Sequence, residues 1–175
     1  MALLSAMAIV LVNFIRLPLI PSAQFLEYDP ADVPILLAAY FLGPLAGVAV
    51  TIVVSVIQGI TVSAASGPWG IVMHICATGT MALIVGLVSR PGHFGKRTII
   101  AAITGAAAMI AIMIPLNLII TPIYTGAPRS AVVAMLPTAI IPFNAIKAGI
   151  NSTAAFGIYA ALHGLVPNTT KRGNR

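Results

Sequence analysis

The chain has 175 residues, 59% of them hydrophobic and 7% charged, with a mean hydropathy of +1.06. A soluble protein of this length needs far more polar surface, so the composition indicates a polytopic membrane protein with no room for a soluble catalytic or nucleotide-binding domain. The net charge of +6 is not a nucleic-acid signal: Arg90, Lys96 and Arg97 share one short loop, and Lys171, Arg172 and Arg175 form the tail, which is the positive-inside pattern.

In chain order, the first span is predicted over roughly Ala2 to Leu19, ended by Pro18 and Pro21. Pro21-Ser22-Ala23-Gln24 loosely resembles a cleavage site, but no basic residue precedes the apolar run, so a retained helix is expected. Ile20 to Glu27 reads as an outer loop. Asp29-Pro30-Ala31-Asp32 has the form of a helix start, with aspartate as N-cap and proline at the first helical position. A short second span, Ala31 to Leu42, is broken by Gly43-Pro44 and followed by a third from Leu45 to about Val62. The fourth runs from Trp69 to Ser89, with Trp69 an interfacial anchor, and the fifth from Thr98 to about Ile120. Thr121 to Met135 reads as a second long outer loop, and the sixth span runs from near Ile141 to near His163.

The fold class is therefore all-α, a six-helix membrane bundle with both termini inside. It comprises one integral-membrane domain over residues 1–165 and a basic cytoplasmic tail over 166–175. No internal repeat is visible. The single cysteine, Cys76, lies in an apolar span and reads as packing.

Lys147 carries the most information. Its segment, Ile140 to Asn151, is otherwise apolar enough to cross a membrane, and a cation there costs about 2.5–3.5 kcal/mol unless it is paired. Asn144, Lys147 and Asn151 are spaced i, i+3, i+7 and so share one helical stripe, which points to an inward, ligand-facing polar surface. The protein can offer Lys147 only Glu27, Asp29 or Asp32. Pairing with Asp29 or Glu27 requires the first outer loop to fold down over the sixth helix, giving a lidded cavity. Asp29 also reads as a plain N-cap. Asn117, two residues after Pro115, suits backbone repair or the same cavity, and beside the sixth helix's stripe the cavity is favoured. His74 lies in the fourth span with no carboxylate at metal spacing, so packing or ligand contact is expected rather than a metal site. Tyr28, Tyr40, Tyr124 and Trp69 are candidates for stacking on a planar ligand. Ala2 and Ala6, and Gly43 and Gly47, form small-xxx-small patterns that permit close helix approach. Phosphate-loop, zinc-protease and serine-hydrolase signatures are all absent, so no enzymatic activity and no ATP hydrolysis by the chain itself are expected.

Several stretches resemble one family. Phe25-Leu26-Glu27-Tyr28-Asp29-Pro30-Ala31-Asp32-Val33-Pro34 with Gly43-Pro44-Leu45-Ala46-Gly47 is similar to the substrate-binding S components of energy-coupling factor (ECF) vitamin transporters. Pro115-Leu116-Asn117, Pro122-Ile123-Tyr124, Gly126-Ala127-Pro128-Arg129 and Ile141-Pro142-Phe143-Asn144-Ala145-Ile146-Lys147 through Asn151 look like the riboflavin-specific branch. The resemblance implies a multi-pass subunit in a prokaryotic cell membrane. Such a subunit binds riboflavin from outside as a transported ligand rather than a cofactor. It works with a transmembrane coupling subunit and two cytoplasmic ATPases, and topples to release its cargo. It places polar ligand contacts at Asn117, Asn144 and Lys147, with the loop residues Leu26, Tyr28 and Asp29 covering the flavin; His74 and Asn151 complete the candidate set. It places coupling-subunit docking at Ala2 and Ala6, although the chain starts almost at this motif, where relatives carry a short extension. The alternatives are an S component for pantothenate or thiamine, and a ligand-free membrane scaffold.

Overall fold

The computed structural model describes residues 1–21 and 23–164, so the basic tail over 166–175 lies outside the described residues. Among the described residues there are seven α-helices: α1 (Ala2–Phe14), α2 (Asp32–Leu42), α3 (Pro44–Ile60), α4 (Gly67–Val88), α5 (Lys96–Thr125), α6 (Arg129–Met135) and α7 (Ile141–Leu162). A two-residue hairpin, β1 (Leu17–Pro18) with β2 (Glu27–Tyr28), pairs antiparallel between α1 and α2. The α4 and α5 helices, and the continuous helical run Arg129–Leu162, are long and apolar enough to cross a membrane; α1, α2 and α3 are shorter apolar helices.

The short α2 is the axis of the bundle. Every residue from Asp32 to Tyr40 is buried, and α1, α3, α4 and α7 all pack against it. A helix covered by protein on all sides need not span the hydrocarbon by its own length, which accounts for its eleven residues. The turn into α3 rests on Gly43, whose φ of 97° is open to glycine and costly for other residues. Pro44 then occupies the first turn of α3, where a missing N–H is harmless. Gly47 lies so close to α2 and α4 that an added Cβ would sit 2.9 Å from that of Ala39 and 3.1 Å from that of Ala82, so the Gly43/Gly47 pattern marks a close helix approach within the chain.

Three boundaries differ from the sequence expectation. The first helix ends at Phe14 rather than Leu19, because Leu17-Pro18 is drawn into the hairpin with Glu27-Tyr28. The expected second outer loop, Thr121 to Met135, is mostly helical. α5 continues through Pro122 to Thr125, the left-handed Gly126 caps it, and α6 starts at Arg129. The two prolines inside α5 remove two backbone donors. The polar groups beside them bond within the same helix, with the Asn117 amide on Met113 O at 2.8 Å and the Thr125 hydroxyl on Thr121 O at 2.7 Å. Finally, α6 does not end before the last span. Leu136–Ile140, with Pro137 in its first turn, is a π-helical turn that joins α6 to α7.

Candidate functional site

Asp32, the first residue of α2, is fully buried and is the centre of a polar network deep in the bundle. Its Oδ1 accepts from Thr78 Oγ1 at 2.8 Å and lies 3.3 Å from His74 Nε2; its Oδ2 accepts from Asn151 Nδ2 at 3.0 Å and stands 3.8 Å from Lys147 Nζ. Lys147 donates to Asp29 Oδ2 at 2.8 Å. The other Asp29 oxygen accepts from the Ala31 backbone N–H at 3.0 Å, so Asp29 closes a turn just before α2 and pairs with α7 through its second oxygen; the N-cap of α2 is Ala31 rather than the expected Asp29, and no side chain caps the helix. Asn151 completes the frame: its amide also donates to the Asp29 carbonyl at 3.0 Å, and its Oδ1 accepts from the Tyr28 hydroxyl at 3.0 Å. Burial and the neighbouring Asp29 carboxylate push the Tyr28 phenol above its ordinary range, which keeps it a donor. On the far side His74 Nδ1 lies 2.7 Å from Ser55 Oγ.

Burying charges is tolerable only when each is paired and hydrogen-bonded, and this frame meets that condition for Asp29, Asp32 and Lys147. Glu27 does not join it. Arg16 holds Glu27 at the root of the loop and also bonds the Val62 carbonyl, which ties the end of α1 to the segment after α3. The loop is thus pinned at two places by charge. A small apolar cluster adds to this: Ala23 and Leu26 of the loop pack with Val132, Ile140 and Phe143 from α6, the π-turn and α7.

Beneath the pinned loop is a cavity of about 160 Å³. Lys147 and Asn144 reach it from α7, His74 from α4, and Ser55 and Gln58 from α3, while Leu26 and Asp29 belong to its roof. Its apolar walls come from Met73, Met109, Met113 and Phe143, with Trp69 and Tyr124 near the rim. Polarizable thioethers and aromatic rings facing a few convergent donors suit a flat, partly polar molecule.

The expected residues separate into two sets. Leu26, Asp29, His74, Asn144 and Lys147 border the cavity. Tyr28 and Asn151 stand behind it and hold the roof to α7. Asn117 is fully buried but outside the lining: its amide donates to Met113 O and its Oδ1 accepts from Thr121 Oγ1 at 2.9 Å, while Thr121 itself reaches the cavity. The contribution that sequence reasoning missed is Asp32, which looked like the second acid of a helix start. Its signal was available in the arithmetic of charge: three acids, of which two must reach one intramembrane lysine and its two asparagines. The methionine walls gave no signal, since methionines in an apolar span are ordinary.

Comparison with known proteins bears on this arrangement. The family model "ECF transporter, substrate-specific component" matches residues 1–159. The chain belongs to that family. The curated riboflavin transporter FmnP of Bacillus subtilis (strain 168) is 32% identical over 169 residues, covering 90% of this chain and 86% of that protein. A solved S component of a bacterial ECF transporter superposes with a TM-score of 0.81 at 27% identity, covering 95% of each chain. As a substrate-specific component, the chain is a binding subunit.

Proposed function

We propose that this S component captures riboflavin from outside the cell. Delivery then proceeds with a transmembrane coupling subunit and two cytoplasmic ATPases, the chain itself carrying no catalytic step. The observation that carries the reading is the cavity beneath the Asp29–Lys147 bridge, taken with the similarity to a riboflavin transporter. A tricyclic flavin presents two flat apolar faces, which Met73, Met109, Met113 and Phe143 can sandwich. Its imide edge and ribityl hydroxyls need donors and acceptors, which Asn144, Lys147, His74 and Ser55 provide. Tyr28 and Asn151 act by positioning the roof. Asn117 acts by holding Thr121 and the proline-containing stretch of α5.

In the same reading the apolar helices make six spans of a prokaryotic cell membrane, with α6 and the loop at the outer face and the basic loop after α4 at the inner one. Ala2 and Ala6 are exposed on α1 and offer the coupling subunit a surface of small side chains.

Titration of the purified protein with riboflavin, thiamine and pantothenate tests the assignment. Saturable quenching of flavin fluorescence is expected, with no binding of the other two. Binding of thiamine or pantothenate without riboflavin would overturn the reading.

A further inference from the structure

A second concavity, sharing no lining residue with the first, lies between α5 and α7. It has a volume of about 430 Å³ and an almost wholly apolar lining. Ala102, Ala106 and Gly149 form its floor, and Ile99, Ile103 and Ile110 rise beside it. The small residues keep the two helices from filling the space, and Ile103 is 65% exposed at its edge. Along α5 the slot runs from Ile99 to Ile110, about 16 Å at 1.5 Å per residue. That is roughly half of a 30 Å hydrocarbon core, the depth of one leaflet.

The end of the slot at Ile99 lies about one helical turn from Lys96 and two residues from Arg97, both exposed, which open α5. They stand in the first turn of α5, the end of a helix where an anion is favoured. No acidic side chain of this chain neutralises them. The chain has three acids, and these are held by Arg16, by Lys147 and by the His74–Asn151–Thr78 cluster. Asp32 opens α2, whereas the loop before α5 packs at the other end of that helix through the Gly92 N–H to Tyr40 carbonyl bond.

We propose that this slot binds one acyl chain of an anionic phospholipid, whose phosphate sits on Lys96, Arg97 and the first turn of α5. Length separates a lipid from a partner helix as occupant. A transmembrane helix needs a track across both leaflets, about 30 Å, and this slot ends after one. Charge separates an anionic from a zwitterionic headgroup, because the two cations lack a counter-charge within the chain.

The test uses the delipidated protein in detergent, reloaded with phosphatidylglycerol or phosphatidylcholine of identical acyl chains and read by native mass spectrometry. One molecule of phosphatidylglycerol is expected to be retained, about tenfold more strongly than phosphatidylcholine. Lys96→Gln with Arg97→Gln should erase the preference. Ala106→Phe, which fills the slot, should lower retention of both lipids; Ala102→Leu serves the same purpose if the larger side chain impairs folding, judged by helical circular dichroism and monodisperse elution. Equal retention of the two lipids, or a preference that survives the double substitution, overturns the proposal. So does a slot-filling variant that leaves lipid retention intact, including one that instead blocks assembly with a membrane partner or alters self-association.

Discussion

At the scale of the residue, Lys147 combines two duties that substitution can separate. It neutralises Asp29 and stands near Asp32, and it reaches the cavity. Lys147→Met leaves two buried carboxylates short of their cation, and breaking a buried pair costs about 3–5 kcal/mol, so a large drop in Tm is expected. Adding Asp29→Asn removes one of the stranded charges and should recover much of that loss. Riboflavin affinity should stay weakened in both variants by about ten- to a hundredfold, the value of a lost charge-assisted hydrogen bond. Arg129→Ala, an exposed change at the start of α6, should bind like the parent. Paired thermal melts and flavin titrations decide the matter: affinity that returns with stability would mean that Lys147 serves the frame alone.

At the scale of the element, the loop between α1 and α2 acts as a roof held by ionic and apolar fastenings beside the Tyr28–Asn151 hydrogen bond. Arg16 holds its root, Asp29 binds α7, and Leu26 is buried in the small cluster with Phe143 and Ile140. Leu26→Ser removes the apolar fastening and leaves both ionic ones. Burial of a leucine side chain is worth about 1.5–3 kcal/mol, and if half of that is lost on opening, the flavin dissociation rate should rise about tenfold with little change in association. Stopped-flow recovery of flavin fluorescence measures both rates, and an unchanged dissociation rate would show that the cluster does not hold the roof. This scale also shows how far the sequence could be read. The stripe Asn144, Lys147, Asn151 and the return of the loop onto it were legible, because a charge in an apolar run demands a partner and few were on offer. The helical character of residues 121–135 was not. Proline disfavours a helix interior, yet Pro122 is accommodated within α5 and Pro137 falls in the first turn of a π-helical segment. Asn117 was legible as polar and inward but not as self-satisfied within its own helix, since spacing alone does not say which carbonyl an amide will find.

At the scale of the whole molecule, the proposed function sets binding and energising at opposite ends. The cavity takes Arg16 and the loop as its roof, whereas Ala2 is about 18 Å away along α1 by the time the helix reaches Phe14. Replacing Ala2 and Ala6 with Trp should therefore abolish energised uptake in a reconstituted four-subunit complex while leaving riboflavin affinity of the isolated protein nearly intact. Both quantities are measured on one preparation. Uptake that persists, or affinity that falls with it, would reject the division.

The Lys147–Asp29 bridge joins residues 118 positions apart, and this imposes an order on biogenesis. A ribosome delivers Asp29 and Asp32 long before Lys147, so the acids wait for their cation while α2 to α6 are made. The last span then enters the bilayer against the penalty of its lysine, which is relieved only by carboxylates already in place. The earliest-made part of the chain is in this sense a chaperone for the latest, and a fragment beginning after α2 would present the insertion machinery with a lysine that has no partner.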